Sequence, residues 1–108
     1  MMKLLGKITF AEYGVIRDYP FMIGLQLGFS LSDGSAVMEG GKHTVNISPD
    51  CKWVTTNREI AITKSVDNVY NVLKAAKATY VSDLIGKPVE VEVVNYTFKD
   101  FRILTEVL

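Results

Sequence analysis

A chain of 108 residues with 12 basic and 12 acidic side chains makes one domain with one core, and no charge excess draws it to nucleic acid or to a membrane surface. One cysteine, Cys51, and one histidine, His43, exclude an intramolecular disulfide, an all-cysteine metal site and a multi-histidine zinc site. No apolar run approaches the ~20 residues that cross a bilayer, and "MMKLLGKITF" lacks the apolar core of a signal peptide, so a soluble protein of a reducing cytoplasm is expected.

The elements follow from hydrophobic periodicity. From Lys3 to Gly14, "KLLGKITFAEYG" alternates through Ile8 and Phe10 and ends at a glycine, as a first strand does. "RDYP", Arg17 to Pro20, is a turn, because Pro20 forces Tyr19 into an extended conformation. A second strand runs from Phe21 to Ser32, with Phe21, Ile23, Leu25, Leu27, Phe29 and Leu31 on one face. Met22, Gly24, Gln26, Gly28, Ser30 and Ser32 occupy the other. Glycine weakens a strand and offers nothing to pack, so Gly24 and Gly28 imply something close to the backbone. A crossing strand, sheet curvature, a subunit contact, or a ligand lying with Gln26 on a small-residue platform would each suit. "SDGS" turns the chain, and "AVMEGGK" continues as a loop with Gly40-Gly41 its flexible point. "HTVNIS", His43 to Ser48, alternates as a third strand stopped by Pro49, and a short fourth extended piece spans Lys52 to Thr55.

The period then changes. Thr56 stands three residues before Glu59, the spacing of a capping box. Val66, Val69, Tyr70, Leu73 and Ala76 form an apolar helical stripe, and Lys74 and Lys77 suit the negative end of the helix dipole. The spacing predicts a helix from Asn57 to Ala78, roughly 30 Å long at 1.5 Å per residue. Ser82 to Ile85 makes a single turn ended by Gly86. Pro88 opens a strand with Val89, Val91 and Val93 inward and Glu90 and Glu92 toward water. Asn95-Tyr96 turns the chain into "TFKDFRILTEV", where Phe98 and Phe101 lie three apart and predict a bulge near Lys99-Asp100. The architecture expected for residues 1–108 is a single α+β domain, a mainly antiparallel sheet in the order β-β-β(-β)-α-β-β packed against one long helix.

Few constellations carry chemistry. "EGGKHT" fails as a phosphate loop, since Ala36 stands where the first glycine is needed and His43 follows the lysine. Lys42 and His43 remain candidates for touching an anion or a partner. Strand-like spacing along "HTVNISPDC" holds His43 and Cys51 up to ~25 Å apart, which leaves no nucleophile-base pair. The carboxylates Asp18, Asp33, Glu39, Asp50, Glu59 and Asp67 show no paired spacing, so no catalytic residue, metal or cofactor is expected. Trp53, with Lys52 beside it and Arg58 beyond, reads either as core or as a stacking clamp for a base. High apolar content, 48% of residues, in so small a domain implies that some apolar surface meets another chain, as in a homo-oligomer.

The segment "LKAAKATYVSDLIGKPVEVEVVNYTFKDFRILTEVL", with "FMIGLQLGFSL" and "CKW", resembles a family of small, mostly uncharacterised tailed-bacteriophage proteins. The matching residues are a helix stop, a proline-led strand and a hairpin, so the resemblance implies phage origin and fold, with no catalytic residues to carry over. It implies work in the host cytoplasm as a non-enzymatic accessory binding module. Such a module would inhibit a host defence protein or sequester a small nucleotide signal; the alternative is a single-stranded-DNA or recombination accessory. The neutral charge speaks against strong nucleic-acid binding. Lys42, His43, Trp53, Arg58, Gly24, Gln26 and Gly28 are the candidate ligand- or partner-binding residues.

Overall fold

A computed structural model describes residues 2–39, 43–48 and 55–107, and at 43, 55 and 56 the backbone alone. Strands β1 (Met2–Ile16), β2 (Tyr19–Leu31), β3 (Ala36–Met38) and β4 (His43–Asn46) precede helix α1 (Thr55–Ala75); β5 (Pro88–Val94) and β6 (Thr97–Ile103) follow it. The strands form one antiparallel sheet in the order β3-β2-β1-β5-β6, and β4 shares the outer edge of β2 with β3. The fold is α+β, an antiparallel sheet with one long helix, as the alternation and the single helical period require. The Lys52–Val54 part of the expected fourth strand and the Gly40-Gly41 point lie outside the described residues. Thr55, the last residue of that expected strand, begins α1, and a strand not expected from sequence is Ala36–Met38, read there as loop. It is too short to show alternation, and the backbone of β2 recruits it through the pairs Gly28–Met38, Phe29–Val37 and Ser30–Ala36. Among the described residues no helix is long and apolar enough to cross a membrane.

The core lies on the face of Leu25, Leu27, Phe29 and Leu31, with Ile8, Val89, Val91, Val93, Ile103 and Leu84. The sheet curls until its edge strands β3 and β6 touch, and Phe29 receives two rings from β6. Phe98 stacks on it at 5.6 Å between centroids and 7° between planes, while Phe101 tilts against it at 5.1 Å. Residues three apart reach one face because Glu92 pairs with Asp100 and Val93 with Phe98, which leaves Lys99 as the extra residue of the expected bulge. On the opposite face, Glu90 and Glu92 meet Arg102 at 3.2 Å and Lys3 at 4.0 Å.

Helix α1 packs its C-terminal half on this core through Val69, Val72, Leu73 and Ala75, with Ala76 buried directly after it, and it also touches β4. Its buried stripe differs from the one the periodicity predicts. Val66 and Tyr70 stay 56% and 61% exposed, whereas Ser65 is buried. The helix is apolar on more than one side, and the curled sheet selects a stripe turned away from Val66 and Tyr70. Thr55 and Thr56 both lie inside the helix, so Thr56 does not cap it as the capping-box spacing suggested. The helix stops at Ala75, short of Ala78, because Lys77 turns left-handed at φ 53°. The Ala78 N–H then donates to the Leu73 carbonyl at 2.9 Å and the Lys77 N–H to the Lys74 carbonyl at 3.2 Å. This reversed turn satisfies the last carbonyls, with lysine in the place glycine usually holds.

The chain crosses back through a 3-10 turn, Val81–Leu84, whose Asp83 carboxylate accepts the Tyr80 N–H at 2.8 Å. Gly86, at φ 89°, donates its N–H to the Ile8 carbonyl at 2.7 Å and so delivers Pro88 beside β1. Between β5 and β6 the two-residue turn places Asn95 at φ 50° and Tyr96 at φ 64°. Both are left-handed, as a hairpin turn matched to strand twist demands.

Candidate functional site

The small-residue face of β2 is partnered on both sides. β1 places Phe10, Glu12 and Gly14 opposite Gly28, Gln26 and Gly24, and the outer edge adds Met38 opposite Gly28 and Thr44 opposite Gly24. Side chains opposite one another in an antiparallel pair point to the same face. Gly28 is glycine because two neighbours close over it: a Cβ there would sit 2.7 Å from Met38 Sδ and 3.0 Å from Phe10 Cβ. A close approach of the Met38 and Phe10 side chains, a reading the alternation did not offer, accounts for Gly28.

Between Met38 and the end of the β1–β2 hairpin this face opens into a cleft of about 610 Å³. Ile16, Tyr19, Phe21 and Met22 come from the hairpin end, Gln26 from the middle of β2, Met38 and Glu39 from β3 and the residue after it, and Thr44 from β4. The Tyr19 and Phe21 rings meet edge to face at 6.1 Å. Phe21 was assigned by alternation to the core face. It is instead an exposed cleft residue, because the hairpin runs beyond the core and its register shifts between Val15 and Ile16. The Glu39 N–H donates to the Leu27 carbonyl at 2.9 Å, and its side chain is 4% exposed in the wall of the cleft. Hydrogen bonds from the β2 backbone on both edges thus hold the cleft on a rigid frame.

The chemistry of this lining is that of binding. Apolar and aromatic walls carry a few convergent polar groups, the amide of Gln26, the hydroxyl of Thr44 and the carboxylate of Glu39, which is the composition of a ligand pocket. Its described lining residues include a carboxylate and no cation. Among the described residues no group of three or more His, Cys, Asp or Glu could hold a metal ion.

Of the residues singled out from sequence, Gln26 lines the cleft, and Gly24 and Gly28 flank it on the same face. His43 sits in β4 opposite Leu25 by its backbone. Arg58 lies half-buried near the start of α1, outside the cleft lining. Lys42 and Trp53, like Cys51, lie outside the described residues. The cleft residues that the sequence did not single out as binding candidates are Ile16, Tyr19, Phe21, Met22, Met38, Glu39 and Thr44. One signal for them was present: Met22 is the one large side chain on an otherwise small or polar face.

Compared with known proteins, the chain matches no family model, no curated protein and no solved structure.

Proposed function

We propose that the protein is a non-enzymatic binding module of bacteriophage accessory type, acting in the host cytoplasm, that takes a side chain or short segment of a host defence protein into the cleft around Gln26. The observation that carries this reading is the lining itself: apolar walls, two aromatic rings and a carboxylate on a rigid frame. Phosphate-bearing ligands call for cations or clustered backbone N–H groups, and the described lining residues include no cation. The lining therefore supports a protein-directed inhibitor over a nucleotide sponge or a single-stranded-DNA accessory. An apolar side chain suits the walls.

Native mass spectrometry of protein purified from cells with active phage defences tests it, comparing the natural chain with Gln26→Phe, which fills the cleft, and Val66→Lys, which alters the exposed side of α1. A host protein bound in fixed stoichiometry, lost with Gln26→Phe and kept with Val66→Lys, is the expected result. A retained nucleotide-sized mass would overturn the protein-directed reading in favour of the sponge.

A further inference from the structure

Helix α1 turns Val69, Val72 and Leu73 to the core and leaves a second stripe in water. Glu59, Thr63, Val66, Tyr70 and Lys74 follow one another at intervals of four, three, four and four residues, so they form one ridge along the helix. All five are exposed, and Ile60, 58% exposed, stands beside the ridge. Apolar side chains gathered on one exposed side and rimmed by charge mark a protein contact. On the flank of the ridge lies a shallow hollow of about 430 Å³, lined by Glu59, Ile60, Thr63, Lys64 and Asp67.

We propose that this ridge packs antiparallel against the same ridge of a second copy of the chain, about a twofold axis at Val66. The charges select both the occupant and the direction. Glu59 stands seven residues before Val66 and Lys74 eight after it, so antiparallel packing sets each Glu59 against Lys74 of the other copy. Lys64 and Asp67 stand two residues before Val66 and one after it, and they face each other across the pair in the same way. Each kind of ion pair is made twice, whereas parallel packing sets like charges together. The surface is therefore self-complementary, as a twofold contact requires. Antiparallel helices also oppose their dipoles. Val66 meets its own copy at the axis, and each Tyr70 lies over Thr63 of the other copy and the hollow beside it. Every side chain this contact uses is exposed in the single chain, and none of them lines the cleft around Gln26. One helix from each copy makes a small interface, so the dimer is a weak one, populated at micromolar concentrations and above.

Sedimentation velocity over a concentration series is expected to show a monomer-dimer equilibrium. Val66→Lys, which sets two lysines together at the axis, abolishes it. Glu59→Lys and Lys74→Glu each loosen it by roughly fivefold to tenfold. Both changes in one chain restore it, because every pair is then reversed rather than broken. Circular dichroism at dilute concentration shows each variant folded, since all three positions lie in water. A monomer at every concentration, a dimer indifferent to Val66→Lys, or single charge reversals without effect on affinity would each overturn the self-pairing. So would a host protein whose capture is lost with Val66→Lys, because the ridge would then belong to that partner.

Discussion

β1 and β2 run the length of the molecule and serve two unlike regions. At one end they belong to a closed structure: Ile8 and Phe29 are fully buried, β5 and β6 continue the sheet, and two phenylalanines of β6 lie on Phe29. At the other end the same two strands continue as an arm, with Tyr13, Val15, Tyr19 and Phe21 exposed and no described strand paired to β1 beyond Ile8 on its β5 side. The closed end satisfies the backbone and removes apolar surface from water, which is where stability comes from. The arm leaves both tasks unfinished and carries the cleft. Binding surfaces are drawn from such regions because what is already satisfied has nothing left to offer a partner.

Substitutions separate the two ends. The largest effect belongs to Phe29→Ala, expected to cost about 3–5 kcal/mol in urea unfolding, since it removes the ring on which Phe98 and Phe101 rest. Tyr13→Ser in the arm is expected to stay within about 0.5 kcal/mol at monomeric concentration. Comparable losses for the two would abolish the distinction between core and arm.

Two glycines sharpen the contrast. Gly28→Ala forces Phe10 and Met38 outward and is expected to cost about 1–2 kcal/mol. Gly14→Ala, with open space around it, is expected to be neutral or stabilising by up to about 1 kcal/mol. Thermal melts of both read the difference directly. Smaller again is Tyr96→Gly. The ring is 95% exposed on a left-handed residue at φ 64°, so its removal is expected to raise stability by about 1 kcal/mol or less.

The smallest effect concerns the last turn. The Glu106 carboxyl is held below its ordinary value, first by its own backbone N–H and then by the Arg102 guanidinium, which it meets at 3.2 Å. A depressed carboxyl contributes stability that is present above its unfolded-state value and lost as pH falls through the folded one. Arg102→Gln is expected to move the Glu106 titration upward, read by carboxyl carbon NMR. The same experiment leaves Asp33 where it is, since that carboxylate is lowered by the hydroxyl and N–H of Ser35 in the turn after β2.

Much of this was legible in the residues. Alternation in β1, β2 and β5, the helical period before Ala76, the bulge implied by Phe98 and Phe101, and the turn at Asn95-Tyr96 are local properties, and each recurs in the structure. The cleft was half legible: Gly24, Gln26 and Gly28 marked the face, while Glu39 and Thr44 stood in a stretch without regular pattern. Ile16 and Tyr19 belong to the far side of a hairpin, and nothing in their neighbours tells that the hairpin outruns the core.

The sequence by itself determined the class of fold, because side-chain period, glycine and proline act over a few residues and need no distant partner. Tertiary structure alone decided three things. It made Ala36–Met38 a strand by offering it the edge of β2, it turned α1 so that Val66 and Tyr70 face outward, and it carried the β1–β2 hairpin beyond the core so that Phe21 lines the cleft. Each depends on which surfaces remain after the sheet has curled around Phe29, and that is a property of the whole chain's packing rather than of any segment.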